Sequence, residues 1–86
     1  MLKTVDRFLD DNERISSWPK KHSDKELVIA YLSGKFEFKR TYHEKEVNEV
    51  LQAWHTFGDW ALLRRELYER RYLDRDRSGI SYERLK

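Results

Sequence analysis

The sequence predicts a small α+β domain of the winged helix-turn-helix kind, with three to four helices and a C-terminal β-hairpin. Three observations predict it. Val47, Val50, Leu51 and Trp54 recur at the spacing of one helical face. Beyond Gly58, an arginine-rich stretch puts Trp60, Leu63 and Leu67 on one face of a second helix. Two short alternating segments then flank Ser78-Gly79, where glycine supplies the positive φ of a hairpin turn. Helix, turn, helix, hairpin is the order of elements by which such domains enter a DNA groove.

The remaining elements follow in chain order. Leu2, Val5, Phe8 and Leu9 stand at helical spacing, so the chain opens on a short helix that Asp10-Asp11-Asn12 ends. Arg14–Trp18 reads as a short strand that could pair with the hairpin, and Pro19 bars it from a sheet interior. Ser23 and Glu26 have the spacing of a capping box, with Leu27, Val28, Tyr31 and Leu32 forming an apolar stripe and Gly34 closing the helix. Phe36 and Phe38 alternate with charges, as a short strand or a frayed helix end. Thr41 and Glu44 form a second capping box, and Asp59 supplies the cap of the next helix. All of this makes one domain, 1–86, with an N-terminal helix and strand in 1–22 and the helical core, helix-turn-helix and wing in 23–86.

Composition narrows the function. Charged residues make up 40% of the 86 residues, yet the net charge is only +2; aromatics at 14% supply the core area that a 38% hydrophobic fraction lacks. The charge is unevenly spread. From Arg64 to Lys86 eight Lys/Arg face five Asp/Glu, whereas from Ser23 to Asp59 five face seven. Positive charge therefore gathers in the part that would meet DNA. With no cysteine there is neither a disulfide framework nor a thiolate metal site. No apolar run spans a bilayer and the start lacks an uncharged apolar stretch, so a cytoplasmic protein is expected.

On the second helix of the pair (59–71), the exposed face offers Ala61, Leu62, Arg65 and Glu69 to base edges; arginine is the side chain best matched to guanine O6 and N7. Arg75 and Arg77 of the wing (73–85) would lie against phosphates or a minor groove, and His43 and Lys45 against the backbone. The alternative is that these arginines pair with Glu66, Glu69, Asp74 and Asp76 on a solvated surface. The domain would then be a degenerate winged helix that binds a partner protein or dimerises through Leu62 and Tyr68.

Other chemistry finds little support. Asp74, Asp76, Ser78 and Gly79 imitate the start of a calcium loop, but its twelfth position is Leu85 rather than a bidentate glutamate. His22, His43 and His55 have no spacing that completes a zinc site. No serine stands in a nucleophile context and no glycine-rich loop could hold a phosphate, so neither catalysis, a cofactor nor a small-molecule substrate is expected. Trp54 and Trp60 bracket the inter-helix turn and are expected in the core with Val50, Leu51, Leu63 and Leu67.

The segments TYHEKEVNEVL, DWALLRRELYERRYLDRD and Gly79 to Tyr82 resemble the bacterial "domain of unknown function 2087" family. Its pattern falls on Tyr42, Glu44, Lys45, Glu46, Val47, Asn48, Glu49 and Leu51, then on Asp59, Leu63 to Leu67, and on Arg75, Gly79 and Tyr82. Phe8, Ile15, Trp18-Pro19 and Phe36 fit it more loosely. The resemblance implies a winged-helix-like domain associated with transcriptional regulators, with no activity assigned. It also sharpens one contrast. Arg64, at the edge of the core stripe, is expected to tie the last helix to Glu46 or Glu49, whereas Arg65 reads the surface.

Overall fold

Helix α2 (Glu44–Ala53) ends where the backbone of Trp54 and Thr56 pairs with distant Ile15, and a short sheet packs against the helices. The computed structural model describes residues 4–86. Its elements are α1 (His22–Ser33), β1 (Thr41–His43), α2 (Glu44–Ala53), α3 (Trp60–Glu69), β2 (Leu73–Arg75) and β3 (Ser81–Arg84). The fold is thus α+β, with a three-stranded antiparallel sheet in the order β1-β3-β2. The core is one cluster in which Ile15, Val28, Ile29, Leu32, Val47, Leu51, Leu63, Leu67 and Leu73 are all fully buried.

The N-terminal segment departs from expectation. Only a single 3-10 turn forms, Asp6–Phe8, and Leu2 of the predicted helix lies outside the described residues. Asp10 stops the helix by taking the amides of Asn12 and Arg14 on one carboxylate oxygen, while Glu13 turns the chain with φ 62°. Ile15 does not pair with the hairpin. It bridges Leu9 on one side and His55 on the other, its amide reaching Trp54 O at 2.8 Å.

Helix α1 begins one residue before the predicted cap. Lys21 is its N-cap and makes no side-chain cap bond, since an ammonium has no acceptor for an amide, and Glu26, the predicted partner of Ser23, is engaged by Arg70 and Tyr72 instead. The apolar stripe is buried through Val28 and Leu32 and gains Ile29. Gly34 does close the helix, though with right-handed φ of −65°; a Cβ there would stand 3.2 Å from Tyr31 O. The Phe36–Phe38 stretch is neither strand nor helix. It is a turn completed by Lys39 at φ 61°, with Phe36 buried edge-on against Tyr42 and Phe38 exposed.

The second capping box is displaced by two residues. Thr41–His43 is a strand, and the reciprocal cap is His43 with Glu46. Sheet pairing decides this: Tyr42 sits opposite Tyr82, both are buried, and a helix beginning at Thr41 would break that pair. Helix α2 then stops at Ala53, before Gly58, because the backbone from Trp54 to Thr56 is committed to Ile15. Asp59 caps α3 as expected, accepting from the Leu62 amide at 3.2 Å. Gly79 has φ 75° in the hairpin turn, as the turn chemistry required.

Alternation sorts the sheet into two faces. Tyr42, Tyr82 and Arg75 are in register on the side that meets the core, and Leu73 is in register with Arg84. Thr41, Glu83 and Asp74 share the outer side, which is acidic.

Candidate nucleic-acid interface

The placement of α3 starts from a buried histidine. His55 bonds the Leu51 carbonyl through Nδ1, and its Nε2 accepts the Asp59 amide at 2.9 Å. The neutral tautomer with the proton on Nδ1 satisfies both bonds. It joins the end of α2 to the cap residue of α3, while Thr56 and Ile15 pin the same turn from the other side. The first turn of α3 is therefore held from both directions. Trp60, expected in the core, instead stands 36% exposed at that leading end. Trp54 keeps its place, packing against the core beneath Lys35, whose Nζ lies 3.8 Å from the ring centre.

Leu63 and Leu67 fix which side of α3 faces inward. Arg64 sits at the seam, 22% exposed, donating to Asn48 Oδ1 and lying 3.2 Å from Glu44 Oε1. It is a tie between α2 and α3, as expected, but its partners are not Glu46 or Glu49. Glu46 is occupied by Arg40 and the His43 amide, and the latter bond, with Arg40 behind it, holds its carboxyl below the usual range. Asn48 belongs to the family pattern, but nothing in the expected pairing made it a partner of Arg64; its place one helical turn beyond Glu44 was the available signal.

Rotating past Arg64 leaves Ala61, Arg65 and Glu69 exposed, with Leu62 and Tyr68 half-buried. Leu62 and Tyr68 therefore do not form the open apolar surface that the protein-binding alternative expected. Tyr68 is covered by Arg75, whose guanidinium carbon lies 4.3 Å from the ring centre. This stack joins α3 to the hairpin. Between them opens a cleft of about 500 Å³ lined by Tyr68, Arg75, Asp76, Arg77, Ser78 and Gly79.

The arginines divide by what they face. Arg7, Arg14, Arg40, Arg64 and Arg70 each meet a carboxylate. Arg70 joins Glu66 and Glu26, and Glu26 also accepts the Tyr72 hydroxyl, a network that ties α3 to α1. That hydroxyl bond, followed by Arg70, keeps the Glu26 carboxyl below its usual range. Arg65, Arg71, Arg75 and Arg77 meet no carboxylate among the described residues, Arg84 donates to the Phe36 and Lys86 carbonyls instead, and Lys45 is likewise exposed without a carboxylate. Asp76, the acidic residue nearest them in the cleft, is turned into the hairpin. It accepts from Ser78 Oγ at 2.7 Å and from the amides of Ile80 and Ser81, and the Ser78 bond foremost holds its carboxyl below the usual range. His43 spends Nδ1 on the Lys45 amide as the cap of α2, leaving Lys45 as the freer group at that end.

Among the described residues no group of three His, Asp or Glu side chains is arranged to hold a metal ion. No helix there is long and apolar enough to cross a membrane.

The model of a family described as "Uncharacterized protein conserved in bacteria (DUF2087)" matches residues 14–84, and the chain belongs to that family. No curated protein and no solved structure matches it.

Proposed function

We propose that this family member is a winged-helix domain that binds duplex DNA, with α3 in the major groove and the β2–β3 hairpin as the wing. The order α1-β1-α2-α3-β2-β3, with β1 paired to β3 at the edge of the sheet, is the winged-helix order and supports the reading. The observation that carries it is the sorting of the arginines. Arg7, Arg14, Arg40, Arg64 and Arg70 are spent on carboxylates and Arg84 on the Phe36 and Lys86 carbonyls, while Arg65, Arg75 and Arg77, on α3 and the wing, and Arg71 just beyond α3, are left for an external anion. Arg65 is the candidate reader of a guanine edge, with Ala61 and Leu62 toward the leading end and Glu69 one turn behind. Arg75, Arg77 and Lys45 would contact phosphates.

Anisotropy of a labelled duplex tests this. Four neutralised phosphates give a log–log salt slope of roughly −3.6, so affinity falls about a hundredfold between ~50 and ~200 mM salt. No binding tighter than ~100 μM at low salt, or binding without a salt slope, would rule the reading out.

A second reading, a degenerate winged helix that binds a partner protein or dimerises, draws on different residues than Leu62 and Tyr68. Trp60, Phe38, Ile80 and Leu85 are the exposed large apolar side chains. Sedimentation showing only monomer at high concentration counts against self-association.

A further inference from the structure

We propose that Tyr68 is a positioning residue that holds Arg75 ready for a backbone phosphate in the cleft between α3 and the wing. The inference rests on the duplex-binding reading above and separates Arg75 from Arg77, which the sequence treats alike.

Arg75 closes strand β2 and lies in register with buried Tyr82, so its side chain springs from paired backbone. Its guanidinium then lies over Tyr68 at 4.3 Å. Stacking occupies the flat face of the group, and of the N–H donors, which lie in its plane, those that do not face the Tyr82 and Tyr68 hydroxyls are left for a ligand. A phosphate accepts such donors edge-on, two at a time. The Asp76 carboxylate on the same cleft is held to its own hairpin through Oδ1, which takes Ser78 Oγ and the amides of Ile80 and Ser81, and it makes no ion pair with Arg75. The tyrosine hydroxyls of Tyr82 and Tyr68 beside the guanidinium hold its proton more firmly than usual, in keeping with that seat. Arg77, by contrast, belongs to the exposed turn and has no ring beneath it. It can neutralise a phosphate, but it must first give up its side-chain freedom.

A ring that only positions Arg75 has a measurable signature. Tyr68→Leu should weaken duplex binding about tenfold while leaving the salt slope unchanged, because the phosphate is still neutralised. Tyr68→Phe keeps the ring and should bind within about twofold of the parent. Arg75→Ala should lower the slope by about 0.9, and adding Tyr68→Leu to it should change nothing more. Equal effects of Tyr68→Leu in both backgrounds, no effect of it at all, or failure of Tyr68→Phe to bind would overturn the proposal. The free protein gives a check that needs neither DNA nor a variant: the Cδ protons of Arg75 should be shifted upfield of those of Arg77 by the Tyr68 ring current, and equal shifts would overturn the stack. A parent protein that binds no duplex sinks the duplex reading and this inference together. A parent that binds while the double-mutant cycle is additive sinks this inference alone.

Discussion

Replacing Arg64 by alanine isolates the contact that sets α3 against α2. The guanidinium donates to Asn48 Oδ1 and approaches Glu44 at 3.2 Å, with side-chain exposures of 22% for the arginine and 38% for the glutamate. A hydrogen bond involving a charged group is worth about 1.5–3 kcal/mol when sheltered, and Arg64 is mostly sheltered. The Glu44 pair is more open to water and adds about 0.2–1 kcal/mol. The expected loss is therefore about 2 kcal/mol, which for a domain of this size lowers Tm by roughly 8–16 °C. Arg65, one residue on, is exposed and meets no carboxylate, so Arg65→Ala should leave Tm unchanged within about 0.5 kcal/mol. The same pair behaves oppositely with DNA: Arg65→Ala should cost about 1–3 kcal/mol of duplex binding and relax preference at one base position. Circular-dichroism melts of both variants, alongside anisotropy, decide the matter. If Arg64→Ala melted like the parent while Arg65→Ala melted several degrees lower, the division of labour on α3 would be backwards.

Other consequences are open to the same kind of test. Burial and the bond to Glu26 push the Tyr72 hydroxyl up to about 12 from 10.0, so the neutral phenol is favoured by folding. That stabilisation is complete below about pH 10 and is lost as pH rises through about 12; Tyr72→Phe should show a shallower loss of Tm than the parent across that window, and identical alkaline profiles would count against the bond. The lowered Glu26 carboxyl acts at the other end, giving stability that is present above its ordinary value of 4.5 and declines as pH falls below it. His55→Leu leaves the Leu51 carbonyl and the Asp59 amide without their partner and should destabilise by about 2–4 kcal/mol in urea denaturation; a neutral outcome would mean that water replaces the ring freely. Asp74 and Glu83 are like charges directly across β2 and β3, so Glu83→Lys should gain about 0.2–1 kcal/mol, seen as a Tm raised by a few degrees.

What could be read before folding and what could not separate along a physical line. The cores of α1, α2 and α3, the Asp59 cap and the Gly79 turn depend on side chains within a few residues of one another, and periodicity or cap chemistry records them directly. Ser23–Glu26 and Thr41–Glu44 carried the same local signal and misled, because each met a stronger distant competitor. Glu26 is engaged by Tyr72 and Arg70, and Tyr42 is paired with Tyr82. Trp60 misled for a related reason: helical spacing puts it on the stripe of Leu63 and Leu67, but at the first turn of α3 there is no core left to cover it.

The candidate interface divides in the same way. Helical geometry alone separated Arg64 from Arg65, since the two differ by about 100° around one helix. Only the folded chain decided that Arg64 holds Asn48 and Glu44, and that Asp76 turns into its own hairpin. It also decided that Arg75 rests on Tyr68. Local order is set by neighbours in the chain, and the sequence lists those neighbours. Whether an arginine is spent or free depends on which carboxylate or ring the tertiary fold brings to it, and that is a property of space.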